Sequence, residues 1–147
     1  AVSDAPTRQN VRMPSAIQAL LAFTGLTVAH LPLIIVPRVM QIVSGTKKAT
    51  DFKPSRDGDG KSLAGRIGRS HMNCIENLPL FATVVLANAL VKGPNIDTYA
   101  WYAVYGRIVQ MLAAFIPGDA ITNVRAAGFS VQLGCFCYMG YLTFGSA

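Results

Sequence analysis

A stretch rich in polar residues, 66–77, leads without a break into the apolar segment 78–87. On a helix, which turns by about 100° per residue, its main polar side chains share one face: Arg66, Arg69, Asn73 and Glu76. A membrane-spanning helix rarely carries such groups unless they pair, face the interior of a bundle or serve a ligand. The segment therefore predicts a helix that enters a bilayer with a paired or functional polar face.

The composition supports a membrane protein of one domain, covering 1–147. Apolar residues make up 52% of the chain and charged residues 14%, well below the usual quarter of soluble domains. The net charge of +6 comes from basic residues near the ends of apolar runs, which favours lipid headgroups or an acidic ligand and excludes a nucleic-acid reader. The three cysteines lie in apolar segments without further ligands, so no metal site is expected.

The hydropathy pattern predicts an all-α, integral membrane four-helix bundle. The expected spans are residues of about 15–40, 62–91, 98–117 and 125–144, with a basic loop at 44–61. Short connections make neighbouring helices antiparallel, which gives an up-down-up-down order. Ala126, Ser130 and Gly134 recur at every fourth position, a small-residue face that predicts close contact between helices.

The charge distribution predicts an orientation in the membrane. The loop 44–61 holds five Lys and Arg residues, against Arg8, Arg12 and Lys92 on the other side. By the positive-inside rule the loop faces the cytosol or its equivalent. Arg66, at the edge of the second span, is expected to meet headgroups. The sequence fits the endoplasmic reticulum, another organelle or a bacterial inner membrane equally well.

The opening of the second span resembles a known family. The motif is Arg69-x-His71-x-Asn73-x-x-Glu76-Asn77-x-Pro79-x-Phe81, accompanied by Arg107 in the third span. Together with the four-span layout, it is similar to the membrane-associated proteins in eicosanoid and glutathione metabolism (MAPEG), which include the microsomal glutathione transferases. The resemblance implies a homotrimer in a lipid bilayer, with glutathione as cosubstrate bound between adjacent protomers.

The resemblance also implies which residues bind glutathione. In the second span these are Arg69, Asn73 and Glu76; Arg38 and Arg107 match arginines of the first and third spans. Glutathione carries two carboxylates and an ammonium group. An arginine can donate two parallel hydrogen bonds to a carboxylate, and a glutamate can accept from the ammonium group. A buried Glu76–Arg107 pair is expected between helices, because each group would neutralise the other.

The chain departs from the pattern of catalytic family members in the residues that follow Arg107 in the sequence. Those members carry Tyr or His three residues later and Tyr seven residues later, where this chain has Gln110 and Ala114. Neither is a general acid or base. Catalytic members also have an arginine near the start of the fourth span that polarises the thiol, and the resemblance makes Arg125 the candidate for this role; a nearby cation favours a thiolate. Arg125 lies two residues further from Arg107 than the family spacing implies, and Asn123 occupies the expected position.

Two functions follow from these observations. The first is a glutathione-dependent membrane transferase or peroxidase that acts on lipophilic electrophiles. The second is a non-catalytic, MAPEG-like structural subunit of a larger membrane complex. The intact second-span motif favours the enzyme, whereas Gln110 and Ala114 favour the subunit. Weak or absent thiol transferase activity is expected even if glutathione binds.

Overall fold

The chain folds into long α-helices. The computed structural model describes residues 13–52, 62–118 and 120–146. The described helices are α1 Ser15–Val43, α2 Leu63–Val91, α3 Asp97–Ala113 and α4 Ala120–Phe144, with a 3₁₀ turn Ala49–Asp51 after α1. No strand occurs in these residues. This confirms the predicted all-α four-helix fold; part of the predicted basic loop, 53–61, lies outside the described residues.

The turn between α3 and α4 differs from the one expected from hydropathy. The N–H groups of Phe115 and Ile116 bond to carbonyls only three residues back, at 3.1 and 3.4 Å. The chain therefore tightens and leaves the α-helix at Ala113, ahead of Pro117, which has no N–H to continue it. The next helix starts at Ala120 rather than near residue 125, because polar residues at its start are compatible with a helix. That each helix spans a bilayer stays a prediction.

The helices alternate in direction. Between α1 and α2, the Phe23 and Phe81 rings lie 5.4 Å apart, while His30 Nε2 further along lies 3.2 Å from Ser70 Oγ, nearer the start of α2. The starts of α1 and α3 therefore meet the ends of α2 and α4 at what we term the closed end. Its contacts between helices join Asp97 to the Ala16 backbone, Trp101 to Ser15, and Asn88 to Thr143.

The closest helix contact is the crossing of α3 and α4 at Gly106 and Gly128. A Cβ on either glycine would lie 2.8 Å from the carbonyl oxygen of the other, so neither position tolerates a side chain without a shift of backbone. The predicted small-residue face is not the one used: Ala126, Ser130 and Gly134 are exposed in the chain. The buried stripe of α4 instead runs through Gly128, Gln132, Cys135 and Met139.

Aromatic rings fill the centre of the bundle, and apolar side chains cover its outside. Phe81 stacks on Phe136 at 5.2 Å as well as meeting Phe23 from α1. Large apolar side chains face outward along the helices, and Leu90 is 83% exposed. Among the described helices, α1 and α2 are each long and apolar enough to cross a membrane. Such a surface suits a lipid environment rather than water.

Candidate functional site

A cavity of about 600 Å³ opens at the end of the bundle opposite the closed end. We term it the arginine cavity, after three of its side chains. It is lined from α2 by Arg66, Arg69, Ser70, Met72, Asn73 and Glu76, from α3 and its end by Gln110 and Ala114, and from α4 by Thr122, Arg125, Ala126 and Phe129. Its volume lies within the range of about 300–1,000 Å³ that is typical of small-molecule sites.

The start of α2 sets which side chains line the cavity. Ser62 caps the helix, and its Oγ accepts a hydrogen bond of 3.1 Å from the N–H of Gly65. Helical geometry from that point brings residues three and four apart onto one face. The structure thus gathers Arg69, Asn73 and Glu76 at the cavity wall, as the spacing of the motif predicts.

Arg69 and Asn73 present open hydrogen-bonding groups. Arg69 is half-buried, and within the described part of the chain its guanidinium makes no hydrogen bond or ion pair. The Asn73 side chain likewise has no hydrogen-bond partner there, although its backbone carbonyl is well used. A half-buried arginine that lines a cavity without a protein partner is suited to an anionic ligand.

Arg107 lies behind the cavity and is fully buried, with 0% of its surface exposed. Its guanidinium donates to Gln110 Oε1 and, at 3.1 Å, to the backbone carbonyl of Asn73. Its Cζ also lies 5.2 Å from the centre of the Phe23 ring, within the range of a cation–π contact. Arg107 therefore contacts two residues of the cavity wall, Gln110 through its side chain and Asn73 through its backbone carbonyl.

The predicted buried Glu76–Arg107 pair is not the arrangement in the structure. Glu76 is on the exposed surface of α2, and the hydrogen bonds of Arg107 run to neutral acceptors. The register of α3 against α2 explains this difference: the guanidinium meets α2 at the carbonyl of Asn73, one turn before Glu76. Two neutral acceptors and an aromatic face hold the buried charge instead of a carboxylate.

Gln110 is a site residue that sequence reasoning missed, because it was interpreted only as the loss of a catalytic group. It is 6% exposed, lines the cavity and accepts from Arg107. One signal was available in the sequence: Arg107 and Gln110 are three residues apart on one helix, a spacing at which side chains meet.

Arg125 lines the cavity, and Asn123 does not. The Nη2 group of Arg125 donates a hydrogen bond of 2.9 Å to Oγ1 of Thr122, which also lines the cavity. The early start of α4 brings residues 122, 125, 126 and 129 onto one face and turns Asn123 away, where it is exposed. The irregular spacing from Arg107 thus does not separate Arg125 from the other candidate residues.

Two other arginines differ from expectation. Arg66 was expected at the headgroups but is 7% exposed, and its Nε donates 2.9 Å to the carbonyl of Ala114. It satisfies a carbonyl left open at the end of α3, which explains its burial. Arg38 is exposed and lines a different cavity, on the other side of α2's start. A single chain therefore does not bring Arg38 to Arg69 and Asn73.

The MAPEG family model matches residues 16–145, nearly the whole chain. The chain belongs to the MAPEG family. It is accordingly a membrane protein, and its helices form the membrane bundle characteristic of MAPEG proteins, a family of glutathione and eicosanoid metabolism. No curated protein and no solved structure matches it significantly.

Proposed function

We propose that this MAPEG protein is a glutathione-dependent membrane transferase or peroxidase that acts on lipophilic electrophiles. One observation carries the proposal: Arg125 lines the same cavity as Arg69, Asn73 and Glu76. Arg125 carries a charge that would stabilise a thiolate, and the other three residues have the chemistry to hold the charged ends of the tripeptide.

The charge of the cavity supports an anionic cosubstrate. Its lining holds three arginines and one glutamate, a formal charge of +2. Glutathione carries −1 when its thiol is protonated and −2 as the thiolate. Ionisation of the thiol beside Arg125 therefore gives the ligand a charge of −2, equal and opposite to the formal charge of the cavity lining. This arrangement favours the thiolate, which is the reactive form.

The remaining lining suits an apolar second substrate. Met72, Ala126 and Phe129 place thioether, methyl and aromatic surface beside the arginines. In the proposed reaction, the thiolate sulfur attacks the electrophilic atom of the second substrate. A carbon–sulfur bond forms, the bond to the leaving group breaks, and the leaving group departs with the electron pair. The proton released from the thiol goes to solvent.

Binding and turnover in detergent test this proposal separately. Calorimetry with glutathione should give a saturable signal that falls in Asn73→Ala, and turnover of an aryl halide should depend on Arg125. Arg125→Gln should lower kcat by about tenfold, the effect of one pKa unit on the thiol, with little change in the KM for glutathione. Lys92→Gln, a change of cation at the closed end, is the matched control. Equal turnover in wild type and Arg125→Gln would contradict the proposed role.

The alternative, a non-catalytic subunit of a membrane complex, is favoured by the wall formed by Gln110 and Ala114. Neither side chain can transfer a proton, and Gln110 already accepts from Arg107. A subunit of this kind would bind no glutathione and would be isolated as a single copy within a larger assembly. A homotrimer that binds glutathione supports the enzyme, and in a trimer an adjacent protomer could bring its Arg38 to the arginine cavity.

A further inference from the structure

The side-chain amide of Gln110 has an orientation that Arg107 fixes. A guanidinium has only N–H donors, so the amide atom that faces Arg107 is the oxygen, Oε1. The nitrogen, Nε2, lies on the other branch of the amide. It makes no hydrogen bond with a described residue, and the protein does not enclose it completely. Because Gln110 lines the arginine cavity, these N–H groups are open to a molecule bound there.

The amide lies where the polar and the apolar parts of the cavity wall meet. A Cβ on Gly128 would lie 3.5 Å from the Cβ of Gln110, so Gln110 packs against α4 at that residue. Arg125 and Phe129 of the same helix line the cavity, and their spacing of four places them on one face. The open N–H groups are therefore close both to the cation proposed for the thiolate and to the apolar surface proposed for the second substrate.

The described side chains of the cavity wall can donate hydrogen bonds but are poor proton donors. None of them is Tyr, His, Cys or Lys, the residues that most often act as general acids alongside carboxylic acids. The carboxylate of Glu76 only accepts hydrogen bonds. The hydroxyl groups of Ser70 and Thr122 are much weaker acids than a phenol or an imidazolium. The wall thus suits a reaction in which negative charge is stabilised without transfer of a proton.

We propose that Gln110 determines which electrophiles this cavity accepts. Its Nε2 group donates a hydrogen bond to the negative charge that develops on the second substrate, and it transfers no proton. The cavity therefore selects electrophiles that release a weakly basic anion, such as halonitroarenes, over hydroperoxides and epoxides. This assignment rests on the proposed glutathione-dependent function and narrows it to the transferase.

The two classes of substrate make different demands on the site. With a halonitroarene, the thiolate sulfur attacks the carbon that carries the halogen, a carbon–sulfur bond forms, and a ring electron pair moves onto the nitro oxygens. The carbon–halogen bond then breaks, and halide leaves with the electron pair and needs no proton. With a hydroperoxide, the sulfur attacks the terminal oxygen and becomes a sulfenic acid, the oxygen–oxygen bond breaks, and the alkoxide that leaves must take a proton. General acid catalysis of such a step typically contributes about 100-fold or more.

Turnover of two substrates by the wild type in detergent tests the selection. Chlorodinitrobenzene and cumene hydroperoxide are compared, each as the enzymatic rate divided by the uncatalysed rate with glutathione at the same pH. The acceleration should be at least about 100-fold greater for the aryl halide. Accelerations that agree within tenfold would overturn the selection and leave a glutathione-dependent enzyme in place.

Gln110→Glu tests the role of the amide. The carboxylate can still accept from Arg107, so the variant keeps its fold, but an oxygen replaces the donor that faces the cavity. Its kcat for chlorodinitrobenzene should fall by about 100-fold, the usual effect of removing one such donor. The comparison is made on the high-pH plateau of kcat, where the thiol of bound glutathione is ionised in both proteins. Gln18→Glu makes the same change at an exposed position of the closed end and should leave kcat unchanged.

Trinitrobenzene supplies a readout that does not depend on turnover. The thiolate adds to its ring, but no leaving group is present, so the coloured anionic adduct accumulates and its visible absorbance measures its stability. With glutathione saturating, Gln110→Glu should lower the equilibrium constant of the adduct by tenfold or more, the contribution of one hydrogen bond to a charged group. An adduct as stable in Gln110→Glu as in Gln18→Glu would show that the amide does not contact the substrate. Absence of glutathione binding and of all turnover in the wild type would instead overturn the proposed function, and this assignment with it.

Discussion

The closed end and the arginine cavity both contain polar side chains, but these differ in whether they have hydrogen-bond partners within the protein. At the closed end, the Asp97 carboxylate accepts from the N–H of Ala16 at 2.8 Å, and the Trp101 indole donates 2.9 Å to Ser15 Oγ. At the other end, Arg69 faces a cavity without a partner among the described residues. Polar groups tie helices together at one end and remain open to a ligand at the other.

The comparison separates residues that stabilise the bundle from residues that serve its site. Arg107 and Gln110 lie between these two groups of residues. Arg107 is fully buried, and Gln110 both lines the cavity and accepts a hydrogen bond from Arg107. If the distinction is correct, substitutions at the closed end and those that break the contact between Arg107 and Gln110 change stability, and substitutions elsewhere in the cavity wall change only binding. Thermal unfolding of each variant in the same detergent measures the difference.

The largest loss of stability is expected for Gln110→Leu. This change removes the acceptor of a buried guanidinium and leaves part of a charge without a partner. Removing one partner of a buried charged group typically costs about 3–5 kcal/mol; because the Asn73 carbonyl remains, we expect about 3 kcal/mol.

Two further variants sharpen that experiment. Gln110→Glu keeps an acceptor three residues after Arg107 and should unfold close to the wild-type temperature or above it. Arg107→Met/Gln110→Leu removes the charge together with its partner and should recover part of the loss. Strictly additive losses would contradict the contact between Arg107 and Gln110.

Gly128→Ala is expected to destabilise the bundle by about 2 kcal/mol, the usual range for overpacking. Its new Cβ would lie 2.8 Å from the carbonyl oxygen of Gly106, so α3 and α4 would have to separate. Gly134→Ala on the same helix is the matched control, because nothing lies within 4 Å of its added Cβ. That change should stabilise the chain slightly through helix propensity. Equal effects at both positions would contradict the crossing at Gly106 and Gly128.

The helical layout was predictable from the sequence because long apolar runs in a membrane have few alternatives to helices. The cavity wall at Arg69, Asn73 and Glu76 was predictable for a similar reason: residues on one helix have a known angular spacing. In both cases the answer depends on a single element and needs no knowledge of how two elements fit together.

Contacts between helices were not predictable in the same way. Whether Arg107 meets Glu76 or the Asn73 carbonyl depends on the register of α3 against α2. Whether Arg125 or Asn123 faces the cavity depends on where α4 begins, which the polar residues at its start obscured. Arg66 was misassigned because its burial depends on where α3 ends. The two errors, at Glu76 and at Arg66, both concern how one helix is placed against another, which sequence periodicity does not report.

A smaller loss, about 1 kcal/mol, is expected for Asp97→Ala at the closed end. The carboxylate of α3 serves as a cap for α1, whose own N-cap, Pro14, provides no side-chain hydrogen bond. Asp97→Asn retains an acceptor and should lose less, with the remaining difference due to charge near the start of the helix. If Asp97→Ala and Asp97→Asn have the same melting temperature, the hydrogen bond to Ala16 contributes nothing measurable to stability.

The smallest effect on stability, within about 0.5 kcal/mol, is expected for Arg69→Gln, because the substitution removes no hydrogen bond or ion pair with a described residue. Its glutathione affinity should nevertheless fall by tenfold or more, since a hydrogen bond to a charged group contributes about 1.5–3 kcal/mol. Unfolding with and without glutathione reports both quantities in one experiment: at one glutathione concentration, the ligand should raise the melting temperature of the wild type and of Asp97→Asn clearly more than that of Arg69→Gln. If Arg69→Gln were as unstable as Gln110→Leu, Arg69 would stabilise the bundle, and the proposed difference between the closed end and the arginine cavity would be wrong. A stable Arg69→Gln variant whose melting temperature rises with glutathione as much as that of the wild type would leave the contrast intact and remove Arg69 from the binding site.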